Sequence, residues 1–139
     1  MKKNKRRSHC PISFALDTFG DKWTLLVMRD IMFKGKSYYG EFLQSEEMIA
    51  TNILASRLSL LEQRRIITKQ HDPNNRSRFI YQLTDKGLAL LPTLIEIVIW
   101  SSNYDRDTAA DKEFVAMAKQ NRKKLIAGIT ARLREKMKK

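Results

Sequence analysis

Residues 51–65 read TNILASRLSLLEQRR and carry the pattern that decides the fold. Leu54, Leu58 and Leu61 fall at i, i+4 and i+7, which is the spacing of the apolar face of an amphipathic helix. The opposite face differs from an ordinary solvated helix surface, because it carries hydroxyls and amides where glutamates and lysines are usual. Its residues are Asn52, Ser56, Ser59 and Gln63.

Three short helices are predicted upstream of this stretch, over residues 11–19, 21–33 and 37–43. Their apolar residues recur at helical spacing, and glycines that favour helix ends follow the first two. Aspartate, serine and threonine are favoured at helix starts because their side chains accept backbone N–H groups. The expected capping residues are Asp21, Ser37 and, for the helix quoted above, Thr51.

The period of the pattern changes after residue 65. IITKQ and RFIYQL are rich in β-branched and aromatic residues, and HDPNNRSR between them is typical of a turn. The sequence therefore predicts a two-stranded hairpin with a basic tip that carries Arg76 and Arg78. Beyond it, Thr84 is expected to cap a helix that continues to about residue 103, and a final amphipathic helix is predicted over residues 112–137.

Short helices followed by a hairpin are the order of elements in a winged helix-turn-helix, so the expected fold is mainly α with a small β-hairpin. In that fold the helix quoted above lies in the major groove of DNA. Asn and Ser suit base edges, whereas long basic side chains suit phosphates. The alternative is an ordinary surface helix that happens to be rich in serine. The residues predicted to bind double-stranded DNA are Thr51, Asn52, Ser56, Arg57, Ser59, Arg76 and Arg78.

The net charge of +12 favours a polyanionic partner. Most of it lies at the ends of the chain, because five of the 27 basic residues fall in positions 2–7 and nine in positions 119–139. The 13 that remain face 14 acidic residues. The exception is the segment 57–78, where six basic residues meet only Glu62 and Asp72. A local basic excess therefore begins in the quoted helix and extends into the hairpin.

The composition argues against other classes of protein. A single cysteine rules out internal disulfides and favours the cytoplasm. The start of the chain does not fit a signal peptide, and the most apolar run, LALLPTLIEIVIW, is shorter than the roughly 20 residues of a membrane span. With two histidines, no metal-ligand spacing and no glycine-rich phosphate loop, we expect no catalytic site, metal or cofactor.

A second class of function stays open. The segment RKKLIAGITARLREKMKK is basic and amphipathic and could lie on an anionic membrane. The alternative to a DNA-binding protein is therefore a basic RNA- or anionic-membrane-binding protein without catalytic activity. RNA-binding modules usually expose aromatic side chains for stacking, whereas the aromatic residues here fall at core spacing. This difference favours DNA as the partner.

Four stretches resemble the HxlR-type winged-helix transcriptional regulators. They read CPISFALDTFGDKWTLLVMRDI, GKSYYGEF, SEEMIATNILASRLSLLE and IYQLTDKGLALLPTL, in this order across residues 10–100. The resemblance implies a dimeric bacterial or archaeal DNA-binding regulator, cytoplasmic and associated with the nucleoid, whose outer helices form the dimer contact. Members usually carry Gly where this chain has Arg65, and Gly or a small residue is common near Met48. The chain at Arg65 therefore either avoids a left-handed turn or tolerates strain.

The helix at residues 88–100 is apolar nearly all round, since only Thr93 and Glu96 are polar there. Such a helix is buried on more than one side, and a second chain could cover one of them. The alternative is a large monomeric core. A homodimer with twofold symmetry would bind a palindromic operator. The predicted dimer residues are Leu91, Ile95, Val98, Ile129 and Leu133. The predicted organisation is a basic arm (1–9), a winged helix-turn-helix domain with its dimerisation helix (10–104) and a C-terminal amphipathic helix for the dimer contact (105–139).

Cys10 is the residue that hints at chemistry. It follows a run of basic residues, whose positive charges favour the reactive thiolate. In some members of the resembled family an N-terminal cysteine in this Cys-Pro context senses oxidants or electrophiles, which makes Cys10 a possible redox sensor. The alternative, which the residue pattern alone favours, is a buried and inert thiol at the start of the first helix. The sequence identifies neither an operator nor an effector.

Overall fold

The computed structural model describes residues 7–138, so most of the predicted arm 1–9 lies outside the described residues. The described chain is mainly helical with one two-stranded hairpin, which confirms the predicted fold class. It forms two compact units, one ending at Tyr81 and the other beginning at Gln82. These units do not coincide with the predicted division at residues 104 and 105.

The first unit contains the helix-turn-helix and the hairpin. The second helix packs against the first and the fourth, and the fourth helix packs against the first strand. Leu54, Leu58 and Leu61 are buried, as their spacing predicts. They share the core with Met28 and Phe42. The elements are α1 (Pro11–Phe19), α2 (Thr24–Phe33), α3 (Tyr39–Phe42), α4 (Thr51–Gln63), β1 (Ile67–Asp72) and β2 (Asn75–Leu83), whose last two residues belong to the second unit.

Three helices of the first unit begin at other residues than the capping pattern predicts, α2 and α3 later and α4 one residue earlier. Asp21 lies before the start of α2, and its carboxylate accepts the N–H of Thr24 at 2.9 Å from outside the helix. Ser37 does not cap α3, because the N-cap residue is Tyr38; the backbone N–H of Ser37 donates to the carboxylate of Glu41 at 3.0 Å. Thr51 is the first residue of α4 and not its cap. Its side chain is therefore free to face solvent.

Two residues that flank α4 have left-handed backbone conformations. Met48 has φ 57° in the turn before the helix, and Arg65 has φ 59° just after it. For residues other than glycine this conformation costs roughly 1–2 kcal/mol. The chain at Arg65 thus takes the left-handed turn and tolerates the strain, which decides between the two alternatives for this position.

Beyond β2, the described part of the second unit is helical, with α5 at Asp85–Leu88, and α6 (Leu91–Tyr104) packs against α7 (Lys112–Gln120) and α8 (Arg122–Met137). Thr84 caps α5 as predicted, because its hydroxyl oxygen accepts the N–H of Gly87 at 3.1 Å. None of the described helices has the length and apolar character needed to cross a membrane.

Both long helices predicted for the second unit are divided in two. The first breaks before Pro92, which has no N–H to donate to the carbonyl of Leu88 and so cannot continue the helix. The second breaks at Asn121, whose φ of −147° and ψ of 69° end α7. The side chain of Asn121 then caps α8 by accepting the N–H of Lys124 at 3.3 Å. Local backbone chemistry overrides the apolar pattern at both breaks.

Candidate nucleic-acid interface

The outer face of α4 presents a row of short polar side chains to solvent. Thr51, Asn52, Ser56 and Ser59 are all exposed, and the buried leucines occupy the opposite face. Hydroxyls and amides of this size can donate to and accept from base edges in the major groove of DNA. The structure therefore brings four of the predicted DNA-binding residues to one surface.

The turn before α4 is fixed to α2 by charged groups. Asp30 is buried, and its carboxylate accepts hydrogen bonds from Arg29 at 2.8 Å and from the hydroxyl of Ser45 in the turn. Lys36 approaches the same carboxylate at 3.4 Å. Arg29 also donates two hydrogen bonds, at 2.6 and 2.9 Å, to Glu47. The carboxylate of Asp30 thus holds the turn at Ser45, and the guanidinium of Arg29 holds it at Glu47.

Arg29 lowers the pKa of the Glu47 carboxyl to about 2, because its guanidinium donates to the carboxylate. A lowered pKa stabilises the folded chain at pH values above the ordinary value of 4.5. This contribution is lost as the pH falls toward 2. The turn is therefore held by the same ion pair throughout the neutral range.

The start of α4 has a further support. The hydroxyl of Tyr39 on α3 donates to the carbonyl oxygen of Thr51 at 2.9 Å. This bond connects the two helices of the helix-turn-helix at the end of α4 that carries Asn52. The first turn of α4 is thus positioned by a side chain from α3.

Arg57 is less available to DNA than its position in the sequence predicts. It is half-buried, lies 3.3 Å from the carboxylate of Asp21 and donates to the hydroxyl of Ser56 at 3.0 Å. Its Nε is buried and has no hydrogen-bond partner among the described residues. Arg57 therefore connects α4 to the segment before α2, and only part of its guanidinium faces outward.

The two arginines predicted for the tip of the hairpin do not lie in its turn. Its turn consists of Pro73 and Asn74, so Arg76 and Arg78 lie on strand β2 and not on the turn. Arg76 is exposed, and its side chain has no partner within residues 7–138. Arg78 is held internally, because its Nη2 and Nε lie 2.8 and 3.2 Å from the buried carboxylate of Asp72. The two arginines therefore differ in environment, since only Arg78 is paired with a carboxylate.

Sequence reasoning missed the surface between α3, α4 and the hairpin. An open groove of about 610 Å³ lies there. Lys69 stands at its side with Nζ 4.2 Å from the centre of the Phe79 ring. Lys69 is visible in the sequence as part of the basic segment 57–78, but its position in the groove depends on the pairing of β1 with β2. The other lining residues include Tyr38, Tyr39, Ser59, Glu62, Ser77 and Arg78.

The apolar residues predicted for a dimer contact are mostly buried within the chain itself. Leu91 and Ile95 are fully buried within one chain, Ile129 and Leu133 nearly so, and Val98 is half-buried. The apolar side chains that α6 leaves exposed are different ones. They are Ile97, Trp100 and Tyr104. Helix α1 similarly exposes Ile12, Phe14 and Leu16.

Cys10 is exposed and precedes the first residue of α1. Its backbone N–H donates to the hydroxyl of Ser8 at 3.2 Å. The prediction that Cys10 is buried is therefore wrong, and its reactivity stays a prediction. The thiol is accessible to reagents in solution.

Comparisons with known proteins agree with this architecture. The model of the HxlR-like helix-turn-helix family matches residues 18–109. The HTH-type transcriptional regulator YodB of Bacillus subtilis is 31% identical over 75% of this chain and 95% of its own length. The solved structure of the protein PA1607 matches at 36% identity with a TM-score of 0.68, over 76% of this chain and 74% of its own. The redox regulator HypR in its reduced form matches at 27% identity with a TM-score of 0.58, over 68% of this chain and 92% of its own. The chain is therefore a transcriptional regulator that belongs to the HxlR-like helix-turn-helix family.

Proposed function

We propose that this regulator binds a palindromic DNA operator as a homodimer, with α4 in the major groove. The observation that carries the proposal is the exposed polar face of α4, where hydroxyls and an amide replace the charged residues of a solvated helix. Such groups distinguish base pairs by their hydrogen-bonding edges. The protein would act on the nucleoid in the cytoplasm.

The proposed contacts divide into readers and anchors. Asn52 can form two hydrogen bonds with adenine, and Ser56 and Ser59 follow it on the same face. Thr51 and the outward part of Arg57 lie at the margin of this surface. Arg76 is a long exposed cation on the hairpin and suits a phosphate or the minor groove. Sequence preference would therefore come from α4, and Arg76 would add affinity for any DNA.

The proposed dimer contact uses the exposed stripe on α6. Ile97, Trp100 and Tyr104 follow one another at helical spacing, and the rings of Trp100 and Tyr104 are 5.6 Å apart. Large apolar side chains gathered on one exposed face commonly mark a contact with another protein chain. The exposed residues of α1 are a second candidate for the same role. A twofold axis would then present two copies of α4 to the two halves of an operator.

Selection of bound DNA from a random pool tests this function. We expect an inverted repeat whose half-sites lie about one helical turn, or a multiple of it, apart. A pool that shows no enrichment, together with tight binding to RNA or to vesicles of anionic lipid, would instead support the alternative of a general polyanion binder. Selection with the Gln120→Ala variant, altered on the exposed surface of α7, should return the same motif.

A response to thiol oxidation is a second candidate function, favoured by the exposure of Cys10. Solved structures of the related YodB include a quinone-bound and a diamide-treated form. Because this chain has one cysteine, oxidation by diamide would join Cys10 to a second copy or to a small thiol, with two electrons and two protons passing to the diamide. Wild-type protein should change its operator affinity after diamide treatment. The Cys10→Ser variant should bind the operator with the same affinity before and after diamide treatment. A wild-type protein whose operator affinity also stays unchanged would exclude the response.

A further inference from the structure

The hairpin contains an aspartate whose burial is unusual for a turn. The side chain of Asp72 is 2% exposed, although aspartates are rarely buried without partners. One of its oxygens accepts the N–H of Asn74 at 2.9 Å, and the other accepts from Arg78 and, at 3.3 Å, from the hydroxyl of Tyr38. These bonds lower the pKa of Asp72, with the Asn74 N–H the largest cause. Asp72 is therefore ionised and fully engaged at neutral pH.

Arg78 is held on two sides. Its guanidinium pairs with Asp72 and also stacks on the ring of Tyr38, with Cζ 3.8 Å from the ring centre. Tyr38 belongs to the segment that leads into α3, so the three side chains connect the hairpin to the helix-turn-helix. The positive charge of Arg78 already has a carboxylate partner. Little counterion release would follow if a phosphate approached it.

The hairpin has a second attachment to the same segment. The N–H of Tyr81 donates to the carbonyl of Ser37 at 2.8 Å, and the rings of Tyr81 and Phe42 meet edge to face at 6.1 Å. This attachment lies on the final part of β2, whereas Asp72 and Arg78 lie near the turn. With both attachments in place, the hairpin cannot swing away from α3, and the groove beside α4 keeps its width.

We propose that Asp72, Arg78 and Tyr38 form a lock that sets the angle of the hairpin, and that Lys69 and Arg76 make its phosphate contacts. The inference rests on the proposed function. A sugar-phosphate strand that runs between α4 in the major groove and the hairpin would occupy the groove of about 610 Å³. Lys69 lines that groove beside Phe79, and Arg76 is an exposed cation on the same hairpin. Arg78 is a positioning residue in this arrangement.

The variant Asp72→Asn distinguishes between two possible roles of Arg78, because they predict opposite changes in DNA affinity. If Arg78 were a phosphate clamp restrained by Asp72, removal of the carboxylate would free it and strengthen binding to all DNA. The lock predicts the opposite, a loss of roughly tenfold in operator affinity, because charged hydrogen bonds that position the hairpin are lost. Fluorescence anisotropy with operator and random duplexes measures both outcomes.

The salt dependence of binding identifies the phosphate contacts. Arg76→Gln and Lys69→Gln should each flatten the slope of log K against log salt by about one counterion per protomer. Arg78→Gln should weaken operator binding and leave the slope unchanged. The double variant Asp72→Asn/Arg78→Gln should bind as each single variant does, since either change alone opens the lock. Tyr38→Phe keeps the ring beneath Arg78 and should retain most of the affinity, whereas Tyr38→Ala should behave like Arg78→Gln.

Thermal unfolding and sedimentation of each variant ensure that folded dimers are compared. A flattened slope for Arg78→Gln, or tighter binding by Asp72→Asn, would overturn the lock even if the wild-type protein binds its operator. A wild-type protein that selects no operator would refute the proposed function itself. The two failures are thus distinguishable.

Discussion

Trp100→Glu is expected to convert the dimer into folded monomers and to lower operator affinity about 100-fold or more. Trp100 is 66% exposed in the single chain, so its replacement removes little of the chain's own core. In the proposed dimer the same side chain is covered, and a carboxylate there would be buried without a partner. Each monomer would then hold only one half-site. The loss of affinity follows from the loss of simultaneous binding to both.

Sedimentation at micromolar concentration measures the first part of this result, and circular dichroism shows whether the variant is folded. A wild-type protein that sediments as a 16.3 kDa species would contradict the proposed assembly. Gln120→Glu adds the same charge to the exposed end of α7 and should remain dimeric. Leu91→Asp is not an adequate test, because Leu91 is fully buried and its replacement would unfold the chain.

Asp30→Ala is expected to lower the free energy of unfolding by about 3 kcal/mol, or roughly 10 °C in Tm. The variant leaves Arg29 and Lys36 without the buried carboxylate that pairs with both, and it frees the hydroxyl of Ser45. The two cations are partly exposed, which places the expected cost at the lower end for a broken buried pair. The turn that positions α4 would loosen at the same time.

Chemical denaturation of the variant measures this effect, and Glu46→Ala is its matched control. Glu46 is an exposed carboxylate in the same turn, so its removal should change stability by no more than about 0.5 kcal/mol. Equal stabilities of the two variants would show that the Asp30 cluster does not hold the turn. Asp30→Asn keeps the shape without the charge and should lie between them.

The sequence predicts the structural features that depend on residues close to one another along the chain. The leucine spacing of α4 identifies its buried face, and the turn chemistry of residues 72–75 identifies the hairpin. The apolar pattern continues across Pro92 and Asn121, so it predicts two long helices, with a bend at Pro92, where the structure has breaks. Apolar spacing also cannot tell whether Leu91 contacts its own chain or another, so the dimer surface proposed from the structure is Trp100 and its exposed neighbours instead.

The internal ion pair of Arg78 cannot be predicted from the sequence for a different physical reason. Its partners come from the other strand and from the segment before α3, and they meet only when the hairpin folds against that segment. In the sequence, Asp72 and Arg78 are ordinary members of a turn-rich and basic stretch. A charge that is assigned to DNA by its position along the chain can therefore be neutralised within the fold.

The outer face of α4 is proposed to read the DNA sequence. Selection of bound DNA with the Asn52→Ala variant tests this proposal most directly. The variant should select a motif that matches the wild-type motif except at one position in each half-site, where the lost contact removes a preference of about 1–3 kcal/mol. Arg76→Ala, selected in parallel, should return the wild-type motif with weaker binding to every sequence. If Asn52→Ala instead selects the unchanged motif while Arg76→Ala alters it, the hairpin reads the sequence and the assignment of α4 is wrong.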